Sequence, residues 1–454
     1  MFLSRLSEKI KNYFFYIKYI SLIRLEIFKL FFYVIFTNRL KVLKANIWLK
    51  KLLKAQLLFK LLIKAQNKLE AEIIYNFIKC FINYIKQSLN EKIILCHNDI
   101  PSEIIMAMGL NPVFLNGNAF LSAILYPQSS EDYRNSSEIL GIPSDICSNS
   151  KIISGFIITN YPQLNSLVIA SNIGCTSLSE ANLLICKKNN HPLFIFDIPN
   201  FSEKPSRLTD ELNNIIEWVK SETNLNVDYE KLKYLCINRN KVATIMNKLN
   251  LLTLYSNIDI GGEALIISNL WNLYPLAFKI LSVKFFENML RVLEKKVIQK
   301  DESKIIKKNR VLILNFPDFN FIDIILWAKK TYGFSFFAYP PLETYNEIDI
   351  SSEKSIIKGL AESLIPDENF MMDEDFANIH ELHKDFNIKM IWILNDKGCP
   401  CKSAKNVFLE EKFREHKIPF LSIEHNSFDF REIAINSIIN KIEFFLENIG
   451  ILKL

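Results

Sequence analysis

The sequence predicts an α/β protein with two parallel-sheet lobes, extra helices and an N-terminal helical segment. Short apolar runs alternate with helical patterns over residues 91–205 and again over 306–454. Residues 206–300 carry helical patterns without strand-like runs. The predicted domains are therefore a basic amphipathic segment at 1–90, a first lobe at 91–305 with a helical insertion at 206–300, and a second lobe at 306–454.

The N-terminal segment is predicted to be helical because Leu, Ile and Phe recur at three- and four-residue spacing between lysines. Residues 1–70 carry 15 Lys/Arg and 3 Asp/Glu, while the whole chain has a net charge of +6, so the remainder is net acidic. This distribution argues against a uniformly basic, nucleic-acid-binding protein. Two interpretations stay open: a helical layer packed on the body, which helical periodicity favours, or a basic surface that contacts a membrane or an acidic partner.

Each lobe has the alternation expected of a doubly wound sheet of the Rossmann or flavodoxin type. The predicted strands are KIILC (92–96), NPVFL (111–115), SLVIAS (166–171), LFIFDIP (193–199), VLILN (311–315), FSFFAY (334–339), IKMIWILN (388–395) and PFLSIEH (419–425). Helical patterns lie between them, and Asp228 is placed to cap a helix of the insertion. The two units share an architecture but no evident sequence repeat.

A cytoplasmic, reducing location is expected because no secretory signal is recognisable. The most apolar early stretch, residues 25–37, is interrupted by Glu26 and Lys29 and is too short to span a bilayer. In a reducing compartment, cysteines at loop tips indicate metal or redox chemistry rather than disulfides.

Four of the eight cysteines share a setting that suggests such chemistry. Cys175 follows an apolar run, with Gly174 allowing a tight turn, and Cys399 and Cys401 repeat this arrangement in the second lobe. Cys147 lies in the turn-rich segment GIPSDICSNSK. Strand carboxyl ends of two lobes can face one cleft, where nearby helix N-termini favour thiolates.

Converging thiolates without CxxC pairs fit an iron–sulfur cluster with distant ligands better than a zinc finger. The alternative interpretation is that these are ordinary buried cysteines. Of the remaining cysteines, Cys80, Cys186 and Cys236 are predicted to belong to the core, whereas Cys96 is ambiguous.

The ordered motifs IPSEIIMAMGLNPV, ICSNSK, VIASNIGCTSLSEANLL, PLFIFDIPN, GCPCKS and HKIPFLSIEHNSFD resemble the subunits of 2-hydroxyacyl-CoA dehydratases and ATP-dependent benzoyl-CoA reductases. The resemblance covers about 90–454. It implies two α/β lobes that hold a [4Fe-4S] cluster through three cysteines, with one iron open. The implied ligands are Cys147, Cys175 and either Cys399 or Cys401, with the distance to the following Ile-Pro favouring Cys399. Glu103 matches a family acid near the substrate and is the implied catalytic residue.

The resemblance also implies an activity and its partners. A separate ATP-dependent iron–sulfur activator would supply a low-potential electron to reduce or dehydrate an acyl-CoA thioester, in a dimer with a related or identical subunit. The chain has no G-x-x-x-x-G-K-[ST] motif with which to hydrolyse ATP itself. A non-catalytic partner subunit, or a small-molecule reductase with a double-cubane cluster held by six thiols, remains an alternative. One departure is Asn315, which stands where the family usually has glycine.

Overall fold

The structure is a computed structural model of the 454-residue chain. It describes residues 92–119, 128–161, 167–172, 176–197, 205–255, 280–298, 309–315, 321–339, 346–364, 372–385, 388–396, 398–425 and 434–454, with a few positions between 18 and 82. The predicted segment 1–90 therefore lies mostly outside the described residues. Of its described positions, Ile23, Ile78 and Ile82 are buried in the main hydrophobic core.

The first lobe is a four-stranded parallel sheet with the strand order β2-β1-β3-β4. Its strands are β1 (Ile93–Cys96), β2 (Asn111–Phe114), β3 (Val168–Ser171) and β4 (Leu193–Phe196). Its helices are α1 (Ser102–Ala107), α2 (Gln128–Ile139), α3 (Ser148–Asn160) and α4 (Thr176–Asn189). β1 and β3 are buried along their whole length, as expected of strands in a sheet covered on both faces.

The insertion contains three long helices, α5 (Pro205–Thr223), α6 (Tyr229–Tyr255) and α7 (Ile280–Ile298). The backbone nitrogen of Lys231 donates to Oδ1 of Asp228 at 3.0 Å, so the predicted cap of α6 is confirmed. The Asp228 amide donates to the carbonyl of Ala107, which ties the start of α6 to the end of α1.

The second lobe repeats the architecture, with the strand order β6-β5-β7-β8. Its strands are β5 (Arg310–Leu314), β6 (Ser335–Tyr339), β7 (Ile388–Asp396) and β8 (Phe420–His425). Its helices are α8 (Phe321–Tyr332), α9 (Glu353–Glu362), α10 (Met372–Asp385), α11 (Pro400–Glu415) and α12 (Ile435–Asn448). The predicted two-lobe α/β class is confirmed.

Helix α6 fastens the insertion to the second lobe. Asn240 donates from Nδ2 to the carbonyl of Ile348 at 2.8 Å and accepts from the Ile348 amide at 2.9 Å. One turn along, Thr244 donates to Glu347 at 2.6 Å, and Arg239 donates to the carbonyl of Asn346 at 2.9 Å. The two lobes are therefore held together by hydrogen bonds as well as by apolar packing.

All eight predicted strands are present, whereas three helices were not predicted. These are α2, most of α3, which begins inside the segment interpreted as turn-rich, and α10. Helices α2 and α3 approach closely at Gly155. A Cβ added at this position would lie 1.9 Å from the Tyr133 carbonyl oxygen, so only glycine fits there. Among the described residues, no helix has both the length and the apolar character needed to cross a bilayer.

Candidate functional site

Two of the predicted cysteines belong to the segments that follow the carboxyl ends of β3 and β7. In both sheets the strand order reverses between the first and the third strand along the chain, β1 and β3 or β5 and β7. Open α/β sheets bind their ligands at such switch points. Cys175 lies between the end of β3 and the start of α4 at Thr176, and Cys399 lies between the end of β7 and the start of α11 at Pro400.

Cys147 caps the start of α3 and is buried, with 6% of its surface exposed. Burial raises the pKa of its thiol to about 11, and the nearby Asp396 carboxylate acts in the same direction. The backbone amides of Asn149 and Ser150 oppose this effect because they interact favourably with the thiolate. A cation at the thiol, such as a metal, would overcome the burial penalty.

The turn before Cys399 contacts Cys147 directly, although the two belong to different lobes. Gly398 has a φ of +82°, and a Cβ added there would lie 3.3 Å from the backbone nitrogen and Cα of Cys147. Cys399 itself is half-buried and influences the pKa of Cys147 electrostatically. The structure therefore places the Cys399 turn of the second lobe against Cys147 of the first.

The other two candidate ligands are Cys175 and Cys401. Cys175 and the side chain of Cys401 lie outside the described residues, although the backbone of Cys401 belongs to α11. Among the side chains that the structure describes, no group of three histidine, cysteine or carboxylate residues is arranged to hold a metal ion. Assignment of Cys175, and of Cys399 over Cys401, stays a prediction.

The three remaining described cysteines belong to the interior. Cys96, Cys186 and Cys236 are 0–1% exposed, and burial raises the pKa of each thiol. For Cys186 and Cys236 this confirms the predicted core positions. Cys96, ambiguous from the sequence, packs beside the carbonyl of Val113 on the neighbouring strand β2. Cys80 lies outside the described residues.

Glu103 is enclosed between α1 and α6, with 1% of its surface exposed. Its Oε1 lies 3.8 Å from Nε of Arg239, and Ser102 donates to its Oε2 at 3.4 Å. Burial raises the pKa of Glu103, and the Arg239 guanidinium partly offsets this rise. A carboxyl group in such an environment can hold a proton at higher pH than an exposed one, but its catalytic role stays a prediction.

His97, which the sequence did not single out, forms a buried bridge at the carboxyl edge of the first sheet. Its Nδ1 accepts from the backbone nitrogen of Ser171 at 3.0 Å, and its Nε2 lies 2.5 Å from the side-chain amide of Asn182. Burial lowers the pKa of His97 to about 4, so the ring is neutral at pH 7. The proton is then on Nε2, and Asn182 must present its amide oxygen to the ring.

The fold and the cysteine positions define an α/β protein whose two lobes bring thiols together at helix starts. The family profile described as 2-hydroxyglutaryl-CoA dehydratase, D-component, matches residues 98–449. The chain belongs to this family of dehydratase components, and the resemblance carried by the sequence motifs is confirmed. A search of curated proteins found no match.

Proposed function

We propose that this chain is the cluster-binding subunit of a 2-hydroxyacyl-CoA dehydratase or a benzoyl-CoA reductase-like enzyme. Cys147, Cys175 and Cys399 would hold a [4Fe-4S] cluster between the lobes. The observation that carries the proposal is the contact between Gly398 and the backbone of Cys147, because it brings a thiol from each lobe to one place. Family membership supports the same function.

The residues around Cys147 fit such a group. A ligand cysteine is bound as thiolate, and the amides of Asn149 and Ser150 favour that form. Ser150 Oγ is buried without a hydrogen-bond partner among the described residues. A buried hydroxyl of this kind is satisfied by an acceptor such as a sulfide, and hydrogen bonds of this kind tune iron–sulfur clusters.

The cluster, when bound, would supply a one-electron carrier and a Lewis-acidic iron for a thioester substrate. The chain's own residues position it and limit the access of water, since Cys147 is buried. We propose Glu103 as the carboxyl group that exchanges a proton with the substrate. Its support is its burial-raised pKa and its location on α1, which follows β1 at the carboxyl edge of the first sheet.

The proposal includes an acyl-CoA substrate, a separate ATP-dependent iron–sulfur activator and a related or identical subunit as partners. A double-cubane centre with six thiol ligands is disfavoured by the positions of Cys96, Cys186 and Cys236. With those three in the core, five of the eight cysteines are left to act as ligands. A non-catalytic partner subunit would have the same fold but would not turn over an acyl-CoA substrate, so an activity assay distinguishes the two alternatives.

The proposal is tested by anaerobic purification or iron–sulfur reconstitution followed by iron analysis. Wild-type protein should be brown and contain about four irons per chain. Cys147→Ala and Cys175→Ala should each lose most of this iron, whereas Cys186→Ala should keep it because Cys186 lies in the core. A wild-type chain that stays iron-free would overturn the proposal, and iron-loaded protein inactive with every acyl-CoA and activator would favour the non-catalytic alternative.

A further inference from the structure

The matching strand orders allow the two lobes to be aligned residue by residue. In the first lobe Cys96, at the end of β1, pairs with Ile169 of β3. In the second lobe Leu314, at the end of β5, pairs with Ile393 of β7. Because these pairs occupy equivalent positions in the two sheets, residue 169 corresponds to residue 393. The residues that follow β3 can then be aligned one by one with those that follow Ile393 in the second lobe.

This alignment reveals a short internal repeat that was not evident from the sequence alone. The segment SNIGCTSLSEAN (171–182) aligns with NDKGCPCKSAKN (395–406). Both contain the pattern G-C-x-x-x-S-x-x-N, with the cysteine one residue before the start of a helix, α4 or α11. Cys175 corresponds to Cys399, and Asn182 corresponds to Asn406. Cys401 has no cysteine counterpart in the first lobe.

In the second lobe, Asn406 is 2% exposed and connects two strand ends to α11. Asn315, directly after β5, donates from Nδ2 to Oδ1 of Asn406 at 3.1 Å and to the carbonyl of Leu394 at 3.0 Å. Asn406 donates in turn to Oδ1 of Asn395 at 3.1 Å, and Ser403 donates to the same oxygen at 3.3 Å. The helix behind Cys399 is thereby fixed to both strands.

The first lobe contains the equivalent bridge built from different residues. His97, directly after β1, occupies the position of Asn315. Its ring contacts the side-chain amide of Asn182, which is fully buried on α4, and accepts from the Ser171 amide at the end of β3. In both lobes, therefore, the residue after the first strand connects the third strand to the asparagine seven positions beyond the cysteine.

We propose that Asn182 with His97, and Asn406 with Asn315, are positioning residues that fix the helix following each candidate ligand, α4 after Cys175 and α11 after Cys399. The inference rests on the proposed function, since the thiols are positioned for a cluster. It also assigns the third ligand: Cys399, which shares the repeat with Cys175, binds iron, and Cys401 does not. Second-layer hydrogen bonds of this kind orient metal ligands and strengthen binding.

The test uses the full chain carrying Asn406→Ala, Asn182→Ala or Asn315→Gly. The last variant removes the bridge without backbone strain, because Asn315 has a φ of +67°, which glycine adopts freely. The control is Asn160→Ala. Asn160 is also buried and donates to Phe156 and Tyr133, but it ends α3, about 18 Å of helix away from the Cys147 end.

The variants are compared by iron release from reconstituted protein and by cysteine alkylation of iron-free protein. In reconstituted protein, the three bridge variants should release iron to a chelator about tenfold faster than wild type and show an altered electron paramagnetic resonance spectrum, while Asn160→Ala matches wild type. In iron-free protein, Asn406→Ala and Asn315→Gly should raise the rate of Cys399 alkylation by iodoacetamide roughly fivefold, because the turn opens more often.

Bridge variants that match Asn160→Ala in both measurements would overturn the positioning role. A wild-type chain that binds no iron would contradict the proposed function alone, since the alkylation rates still test the bridges. The ligand assignment is tested by Cys399→Ser, which should lose iron, and Cys401→Ser, which should retain it. The reverse result would overturn that assignment.

Discussion

A side chain at Gly398 would press tightly against the backbone of Cys147, since its Cβ would lie 3.3 Å from two Cys147 backbone atoms. The two residues belong to different lobes and lie 251 positions apart in the sequence. The contact places main chain against main chain, which leaves the neighbouring Cys399 close to the Cys147 thiol. Glycine therefore has two roles here: it accepts the φ of +82°, and it lets the lobes approach.

Replacing Gly398 with alanine should destabilise the protein through both effects. The left-handed backbone alone costs about 1–2 kcal/mol for an L-residue, and the contact with Cys147 should add about 1–3 kcal/mol of overpacking. Urea unfolding of the iron-free chain measures the change in the free energy of unfolding.

Gly109 provides a matched control, because it has the same φ of +82° but nothing within 4 Å of an added Cβ. Gly109→Ala should show the backbone cost alone and should leave iron binding unchanged, whereas Gly398→Ala should also weaken iron binding. Equal destabilisation by the two substitutions would contradict a tight contact between the lobes.

His97 should make the folded protein sensitive to acid. Its pKa is lowered by burial to about 4 in the folded state, against about 6.5 for an ordinary histidine. Between these values the unfolded chain binds a proton that the folded chain does not, so stability falls as the pH is lowered through this window. The full effect corresponds to roughly 3 kcal/mol.

Urea unfolding of wild type and His97→Gln at several pH values between 4 and 7.5 measures this contribution. The variant should be less stable at pH 7.5, because it lacks the ring that bridges Ser171 and Asn182, but it should lose less stability on acidification. Parallel pH curves for wild type and His97→Gln would refute the assignment.

Arg239 should reduce the pH dependence of stability that the buried carboxyl group of Glu103 causes. Because burial raises the pKa of Glu103, the folded state keeps its proton above the unfolded-state pKa, and stability is lost as the pH rises through that interval. Arg239 offsets part of the rise, so Arg239→Met should make this loss of stability larger. Unfolding measured from pH 4.5 to pH 8 should show a steeper decline for the variant.

Glu103→Gln separates this structural effect from catalysis. The substitution removes the titrating group, so the part of the pH dependence due to Glu103 should disappear in both the wild-type and the Arg239→Met backgrounds. If Glu103 is also the proton-exchanging group, iron content should be preserved while turnover falls by about 10²-fold or more. Full turnover with intact iron would leave Glu103 as a purely structural partner of Arg239.

The eight strands could be predicted because each is a short apolar run between polar turns, and this pattern is local. Helices α2 and α3 were harder to predict. In α2 the polar run QSSEDYRNSSEI lacks a conventional apolar stripe, while Gly155 in α3 is explained only by its contact with Tyr133. Contacts with the rest of the fold, and not the local sequence pattern, therefore account for both helices.

Cys147 and Cys399 could be singled out from the sequence because a thiol beside a turn or after an apolar run is conspicuous, and the structure places their segments in contact. The sequence did not indicate the bridging role of four buried polar residues, His97, Asn182, Asn315 and Asn406. Their hydrogen-bond partners are distant in the sequence, so the role is visible only in the folded structure. One signal existed, since G-C-x-x-x-S-x-x-N occurs twice, but it became visible only once the strands gave the alignment.

The hydrogen bonds between Asn240 and Ile348 have an evolutionary consequence. Asn240 contributes its side chain, whereas Ile348 contributes only main-chain atoms. Position 348 can therefore accept other residues whose side chains fit the narrow space beside Gly359, because both hydrogen bonds to Asn240 would be kept. A substitution of Asn240 removes both hydrogen bonds at once, so we expect position 240 to tolerate fewer residues than position 348.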